Sequence, residues 1–306
     1  MEFFRKKTNI PFMQQRNLAF IFSGLLIILS IFAINYYGLT MSLDFTGGHQ
    51  IQLEFPDAVS IDKIRNKMQN SKQIAIYTLG NSKNVLMKIP HTDSTSETEP
   101  LRKKINSIFP DAKINQLTYI GPQIGTALLL DGTNAVIIAM LCTMIYITLR
   151  FEYRFAISAL VALLHDPIIT LGIFSFCKIE FDIISLAGIL TILGYSLNDT
   201  IVVYDRIREN FQAAPNANVH TIVDRAINDT LSRTIITSGL TLLAVLSLCI
   251  FGGETLWGFS IALAIGIVVG TYSSIYVAGA LSVVIGLQSS SLLDEQTQQP
   301  SENYVI

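Results

Sequence analysis

The sequence predicts an α-helical polytopic membrane protein with six transmembrane helices and an extracytoplasmic ferredoxin-like α+β domain between the first two spans. The chain of 306 residues is 50% hydrophobic and only 14% charged, and its mean hydropathy is +0.47. Soluble domains carry about a quarter charged residues, whereas apolar runs of roughly 18 residues or more are typical of membrane spans. Candidate spans occur at residues 18–36, 135–149, 156–177, 183–203, 235–251 and 256–285.

The distribution of Lys and Arg predicts the orientation of the spans. Basic residues precede the first span and recur in the connections after the second and fourth, and they are sparse in the opposite short connections. By the positive-inside rule, both termini are then cytoplasmic. We therefore expect a cytoplasmic arm at residues 1–17, a first transmembrane helix at 18–37 and a disordered cytoplasmic tail at 288–306.

The long connection at residues 38–131 predicts a domain of its own, which the parity of the spans places outside the cytoplasm. Residue patterns predict its strands and helices, with strands at 49–55, 74–79, 85–89 and 113–120 and helices at 60–69 and 97–108. The order β-α-β-β-α-β is that of the ferredoxin-like split unit, a two-layer plan that can fold alone at this size. A domain outside the cytoplasm meets no nucleotide pool, which argues against an ATP-driven role for it. The resemblance described below implies that this compartment is the periplasm.

Residues 132–287 are then a five-helix membrane region with a cytoplasmic loop at 204–233. Within that loop, residues 216–231 have the apolar spacing of an amphipathic helix. Glycines are dense in the later spans and favour close helix packing or a moving interface. The three cysteines fall in apolar spans without paired spacing, so we expect small buried apolar residues rather than disulfides or metal ligands.

Asp199 is the most informative residue, because it lies inside an apolar helix. At ~1.5 Å per residue it lies roughly 24 Å from the outer end of the fourth span, inside an about 30 Å hydrocarbon core. An ionisable group there is costly unless compensated, and by default it indicates an ion or proton pathway. Helical spacing puts Tyr195, Asp199 and Arg206 on one broad face. The alternative is that Asp199 snorkels to the cytoplasmic boundary or caps a helix.

Arg233, at the start of the fifth span, is the best counter-charge for Asp199, because an Arg can reach inward with its stem buried. The alternative is an ordinary positive-inside anchor. At the inner end of the fourth span, the charged residues favour a solvated, mutually paired boundary over a proton relay. These residues are Asp205, Arg206, Arg208 and Glu209.

A further polar group, His165-Asp166-Pro167, lies near the midplane of the third span. Adjacent helical residues diverge by about 100°, so we expect His165 and Asp166 not to face each other. Pro167 removes a backbone donor and favours a kink. Asp166 is costly at this depth. A structural polar contact and a place in the proton path remain equally open for it.

Signatures of catalysis are missing from the sequence. It holds no P-loop, zinc-binding HExxH, nucleophile elbow or GxGxxG motif, and no Ser/His or Asp/Asp constellation at a suitable depth. We therefore expect no cofactor, no bound metal and no enzymatic activity.

Four motifs in the right order resemble the SecD/SecF family of protein-export membrane proteins, and within it the smaller, SecF-type subunits. LDFTGGHQIQLEF at 43–55 resembles the family's DFxGG segment, and ALLHD at 162–166 resembles its third-span HD motif. GYSLNDTIVVYDRIREN at 194–210 is similar to its most diagnostic block, and SRTIITS at 232–238 to the start of its fifth span. The resemblance covers nearly the whole chain, from residue 16 to about 286.

The resemblance implies the fold, the site and the partners of a proton-driven transporter of the RND superfamily. It assigns the family's fourth-span proton-pathway Asp to Asp199 and its fifth-span Arg to Arg233. Asp166, Tyr195 and Arg206 are further candidates for the proton pathway on the residue pattern described above. Motif or structural roles fall to Asp44, Gly47, Gly48, His165, Asn198 and Asp205. The implied location is the bacterial cytoplasmic (inner) membrane.

The implied partners are SecD, the SecYEG channel, YajC, unfolded preproteins and membrane lipid, and nothing indicates nucleic acid. With SecD, such a protein uses the proton motive force to complete translocation of preproteins. Two alternatives stay open: a non-conducting scaffold that stabilises the translocon, and a small-molecule exporter of the RND type. The single small external domain disfavours the exporter.

Overall fold

The computed structural model describes residues 8–68, 74–91 and 98–287. Its elements are, in chain order, α1 (Arg16–Tyr37), β1 (Thr40–Met41), α2 (Leu43–Thr46), β2 (Gly48–Glu54), α3 (Ile61–Lys67), β3 (Ala75–Leu79), β4 (Asn81–Pro90), α4 (Thr98–Ile108), β5 (Lys113–Ile120), α5 (Pro122–Arg150), α6 (Tyr153–Cys177), β6 (Glu180–Phe181), α7 (Ile183–Ala213), α8 (Val219–Phe251), α9 (Gly253–Ser273) and α10 (Ala280–Val284). A π-helical segment (Ser274–Gly279) joins α9 to α10. The predicted tail at 288–306 and the first seven residues of the predicted arm lie outside the described residues.

Six helices of the described chain are long and apolar enough to cross a membrane, which confirms the predicted number. They are α1, α5, α6, α7, α8 and the continuous run from α9 to α10. Large apolar side chains on their outer faces are exposed, as a hydrocarbon environment requires; Leu18, Leu149 and Ile250 are examples.

The α+β domain has the predicted order of elements. Its four antiparallel strands lie in the order β3-β4-β2-β5, so that β4 separates β2 from β3 as in the split β-α-β unit. Ile51 and Leu53 alternate along β2 on the face that packs against the helices, and both are fully buried. Ile64 of α3 and Ile105 of α4 close this core.

Two domain boundaries differ from the sequence expectation. The helix α5 begins at Pro122, inside the range assigned to the external domain, because Pro is favourable in the first turn and nothing breaks the helix afterwards. The expected loop at 204–233 is mostly helical, since α7 runs to Ala213 and α8 begins at Val219. Asn218 caps α8 by accepting from the His220 N–H at 2.9 Å, and the predicted amphipathic helix is the first part of α8.

A junction built on the DFTGG segment connects the α+β domain to the membrane helices. The short strands β1 and β6 pair in parallel there, which the sequence did not predict. Asp44 Oδ2 accepts a hydrogen bond of 3.3 Å from the Ile183 N–H at the start of α7. A Cβ on Gly47 would lie 2.9 Å from Pro122 N, and one on Gly48 would lie 2.3 Å from the Ile89 carbonyl oxygen. Both glycines also have positive φ, so neither position tolerates a side chain.

Small residues allow close approach between the membrane helices. A Cβ on Gly266 of α9 would lie 2.2 Å from the Ile192 side chain of α7, and one on Gly172 of α6 would lie 2.3 Å from Ser30 of α1.

The expectation of buried cysteines was wrong. Cys142 and Cys177 are exposed on the outer surface of the bundle, where a thiol is compatible with apolar surroundings.

Candidate functional site

Asp199 lies on the buried face of α7 and is 4% exposed. The Ser238 hydroxyl of α8 donates a hydrogen bond of 3.3 Å to Asp199 Oδ2. The carboxyl is therefore held inside the bundle by a neighbouring helix. It neither snorkels to the boundary nor caps a helix end.

Ser238 is the point at which three helices meet. The Tyr195 hydroxyl of α7 lies 3.5 Å from Ser238 Oγ, and the Thr271 hydroxyl of α9 lies 2.9 Å from it. Tyr195 and Asp199 therefore face the same group, as helical spacing predicted. Sequence reasoning missed Ser238 and Thr271, and the only signal for Ser238 was its place at the end of the 232–238 motif.

Arg233 does not pair directly with Asp199. Its side chain is exposed, and within the described part of the chain no ion pair or hydrogen bond to Asp199 is formed. Five residues separate Arg233 from Ser238 and turn the helix by about 140°, so the two side chains leave different faces of α8. Arg233 is still close enough for its positive charge to act on Asp199 electrostatically.

The charged residues near the C-terminal end of α7 form ion pairs with one another and with neighbouring elements. Arg206 donates to Asp229 of α8 at 2.7 Å and to Glu209 at 2.8 Å. Asp205 lies 3.4 Å from Arg150. The structure therefore brings Arg206 to the paired boundary rather than to Asp199. Asn198 is exposed.

His165 and Asp166 form a second buried polar cluster. His165 Nδ1 lies 2.9 Å from Asp166 Oδ1, so the prediction that the two side chains do not face each other was wrong. Their Cα–Cβ directions diverge, but both side chains are long enough to bend back toward each other. Asp166 Oδ2 accepts from Ser196 of α7 at 2.6 Å and from Ser273 of α9 at 2.9 Å.

Metal binding has no support among the described residues, which contain no group of three or more His, Cys, Asp or Glu side chains that could hold an ion. The site consists of two buried carboxyl groups, hydroxyl groups from three helices and one nearby guanidinium. Such an arrangement can bind and release protons, and it can change the contacts between helices when it does.

The fold and site define a multi-pass membrane protein with ionisable groups buried in its helix bundle and an α+β domain after the first span. The family model described as "Protein export membrane protein SecD/SecF, C-terminal" matches residues 101–288. Relatives named protein translocase subunit SecF are similar over nearly the whole chain. The chain belongs to the SecD/SecF family.

Individual relatives agree closely in length. The SecF of Vibrio alginolyticus is 39% identical, over 98% of this chain and 97% of its own. The SecF of Calditerrivibrio nitroreducens is 43% identical, over 93% of this chain and 97% of its own. The SecF of Escherichia coli O157:H7 is 36% identical, over 94% of this chain and 91% of its own.

Two solved structures share the fold. The crystal structure of SecDF from Thermus thermophilus, described as a translocon-associated membrane protein, matches with a TM-score of 0.78 and 34% identity over 93% of this chain. SecDF in a super-membrane-facing form matches with a TM-score of 0.71 and 32% identity over 97%. This chain spans only 39% and 40% of the length of those SecDF chains.

Proposed function

We propose that this chain is an accessory subunit of the Sec protein-export machinery, which acts with a SecD partner and uses the proton motive force to complete preprotein translocation. The names of the SecF relatives and of the SecDF structures support this role. The distribution of Lys and Arg supports an inner-membrane orientation with both termini cytoplasmic and the α+β domain periplasmic. The 38–131 domain thus stands where an emerging preprotein arrives.

The observation that carries the proposal is the burial of Asp199 at the contact between α7, α8 and α9. The ionised carboxylate accepts the Ser238 hydrogen bond and attracts the positive charge of Arg233. Protonation removes the negative charge, weakens both interactions and changes the relative stability of two helix arrangements. Asp199 thereby couples proton binding to helix packing.

The proton gradient supplies enough free energy for such a switch. A proton that crosses a potential of about 150 mV releases roughly 3.5 kcal/mol, which shifts a two-state equilibrium by a few hundred-fold. Helix packing alters by exchange between discrete arrangements, and a shift of this size moves the population from one arrangement to the other.

The outer end of α7 is the route by which this change reaches the α+β domain. The helix starts at Ile183, bonded to Asp44, directly after β6. In β6, Glu180 accepts from Lys88 Nζ at 2.7 Å and from the Tyr77 hydroxyl at 2.6 Å, and both donors belong to the sheet. A change in the tilt of α7 then moves the domain that contacts the exported chain.

The exposed side chain of Arg233 is available to the SecD partner, which would complete the charge compensation of Asp199.

The remaining parts of the proposal are the SecYEG channel and YajC as further partners, unfolded preproteins as substrates, and lipid around the spans. Asp166, Tyr195 and Arg206 belong to the proposal in different ways. Tyr195 contacts the Asp199 site through Ser238, Arg206 stabilises the cytoplasmic boundary, and Asp166 belongs to the second cluster.

The experiment is Asp199→Asn in complex with SecD, in inverted membrane vesicles, with late-stage export followed after ATP is removed. Asp205→Asn is the matched control, because it makes the same chemical change on the same helix at the paired boundary. We expect Asp199→Asn to lose the proton-dependent phase with the complex intact, and Asp205→Asn to keep it. Full export by Asp199→Asn would support the scaffold alternative instead.

A further inference from the structure

The His165–Asp166 pair lies deep in the bundle, half-way along α6, and each side chain is 1% exposed. Within the described part of the chain, His165 is the only group in an ion pair with Asp166. A net charge at this depth carries a free-energy cost of several kcal/mol. The protonation state of the pair therefore matters to the stability of the bundle.

The hydrogen bonds assign a state to Asp166. The Ser196 and Ser273 hydroxyls donate to Oδ2, and Oδ1 lies 2.9 Å from His165 Nδ1, an arrangement that suits an ionised carboxylate, which has only acceptors. With Asp166 ionised, the hydrogen between the two groups is on His165 Nδ1, which donates it to Asp166 Oδ1. The tautomer of the neutral ring is thereby fixed, and its other nitrogen, Nε2, has a free lone pair.

His165 Nε2 is buried and has no hydrogen-bond partner among the described residues. Buried polar atoms are rarely left unsatisfied, and exceptions point to a functional group or a bound water. When the ring is neutral, the pair has a net charge of −1. When Nε2 takes up a proton, an N–H bond forms and the pair becomes a neutral imidazolium–carboxylate ion pair, which hydrocarbon tolerates better.

We propose that His165 and Asp166 form a second proton-binding site, at which His165 Nε2 takes up and releases the proton and Asp166 stabilises the charged ring. Its role in export rests on the function proposed above. Titratable side chains on the elements around the pair include Asp199 on α7, which lies one turn from Ser196. They also include Tyr272 on α9 and Tyr276 on the π-helical segment. The Tyr272 ring lies 6.3 Å from the His165 ring, nearly parallel to it, and its hydroxyl bonds to Ser23 of α1.

The second site is connected to the first through two shared helices. On α9, Thr271 contacts Ser238 of the Asp199 site, and Ser273 donates to Asp166. On α7, Ser196 and Asp199 lie one turn apart, so a shift of either helix alters both sites. The π-helical segment begins directly after Ser273, and such segments are frequent at functional sites. Proton binding at one site is therefore coupled to proton binding at the other.

The test is nitrogen NMR of the full chain in bilayers of phosphatidylethanolamine and phosphatidylglycerol, with its four histidines labelled with 15N. His165→Gln identifies the His165 signals by their loss. We expect the wild-type ring to change from the neutral Nδ1–H tautomer to imidazolium as the pH is lowered from 9 to 5. In Asp166→Asn we expect the ratio of charged to neutral ring to fall about tenfold or more at a given pH, because an adjacent opposite charge is lost.

Controls separate this effect from misfolding and from the proposed function. His220→Gln, which removes a histidine beside Arg16 at the bundle surface, should leave the His165 signals unchanged. Ser273→Ala keeps the ion pair and removes one donor to Asp166, so it provides a mild second variant if Asp166→Asn does not fold. A His165 ring that keeps one protonation state throughout, or is indifferent to both variants, overturns the proposal. That result leaves the role of Asp199 intact, whereas full export by Asp199→Asn overturns the proposed function and leaves the NMR titration standing.

Discussion

Ser238 Oγ donates to Asp199 Oδ2 at 3.3 Å and thereby joins α8 to α7 inside the apolar bundle. Because Ser238 also contacts Thr271 of α9, the proposed change in the charge of Asp199 would act on three helices at once. The group in direct contact with the carboxyl is therefore a neutral hydroxyl. Arg233 acts from outside this contact, through its electrostatic field.

Ser238→Ala removes the donor that stabilises the ionised form of Asp199. A buried carboxylate that loses a hydrogen bond is destabilised by about 1–3 kcal/mol. We expect more of Asp199 to be protonated at a given pH, and the pH dependence of gradient-driven export to change accordingly. Ser238→Thr keeps the hydroxyl and should behave like wild type. Identical pH profiles for the Ala variant and wild type would contradict this role.

Arg233 is expected to tolerate Lys better than Gln. It forms no bidentate contact with Asp199 in the described chain, so its contribution is that of a positive charge, which Lys retains and Gln does not. The measurement is the rate of proton-dependent export with a SecD partner. Equal loss in both variants would indicate a contact that depends on guanidinium geometry, and the field effect would be rejected.

Gly266→Ala should destabilise the bundle. The added Cβ would lie 2.2 Å from the Ile192 side chain, and overpacking of this kind costs about 1–3 kcal/mol. Gly194→Ala is the matched control, because its Cβ meets nothing within 4 Å. We expect a lower thermal unfolding temperature in detergent for the first variant and no decrease for the second. Equal unfolding temperatures for the two variants would show that α7 and α9 can move apart without a loss of stability.

Glu180→Gln should loosen the α+β domain from the membrane helices. Glu180 accepts from Lys88 and Tyr77, and the side chains of Lys88 and Glu180 are 19% and 21% exposed. A charge-assisted hydrogen bond in such a partly buried position contributes about 1.5–3 kcal/mol. We expect faster amide hydrogen exchange in β3, β4 and β6, measured by mass spectrometry. Glu99→Gln, which changes an exposed ion pair on α4, should leave the exchange rates of these strands unchanged. Unchanged exchange rates in Glu180→Gln would argue against Glu180 as a connection between the α+β domain and the membrane helices.

The spans and the order of the α+β elements could be predicted because both follow from residue periodicity. Long apolar runs and alternating strands leave a clear pattern, whereas the start of α5 does not. Asp131, Gly132 and Asn134 interrupt its hydropathy although the helix continues through them. The pairing of β1 with β6 was not predictable, because two-residue strands from distant segments carry no periodic signal.

The site was predictable only in part. The depth of Asp199 and Asp166 followed from the cost of a charge in hydrocarbon, but their partners did not. Ser196, Ser238 and Ser273 are ordinary residues of apolar helices, and only the packing of α7, α8 and α9 decides which hydroxyl meets which carboxylate. The side-chain torsions that bring His165 and Asp166 together on α6 are likewise set by tertiary contacts.

The most direct test of proton coupling at Asp199 adds a protonophore to inverted vesicles that hold the chain with SecD. Late-stage export is measured after ATP removal, with and without the protonophore, in wild type and in Asp199→Asn. We predict a several-fold loss in wild type and no further loss in the variant, because the gradient-dependent phase of export is already missing there. A several-fold loss in Asp199→Asn as well would mean that the gradient acts elsewhere, and would contradict the central role of this carboxyl.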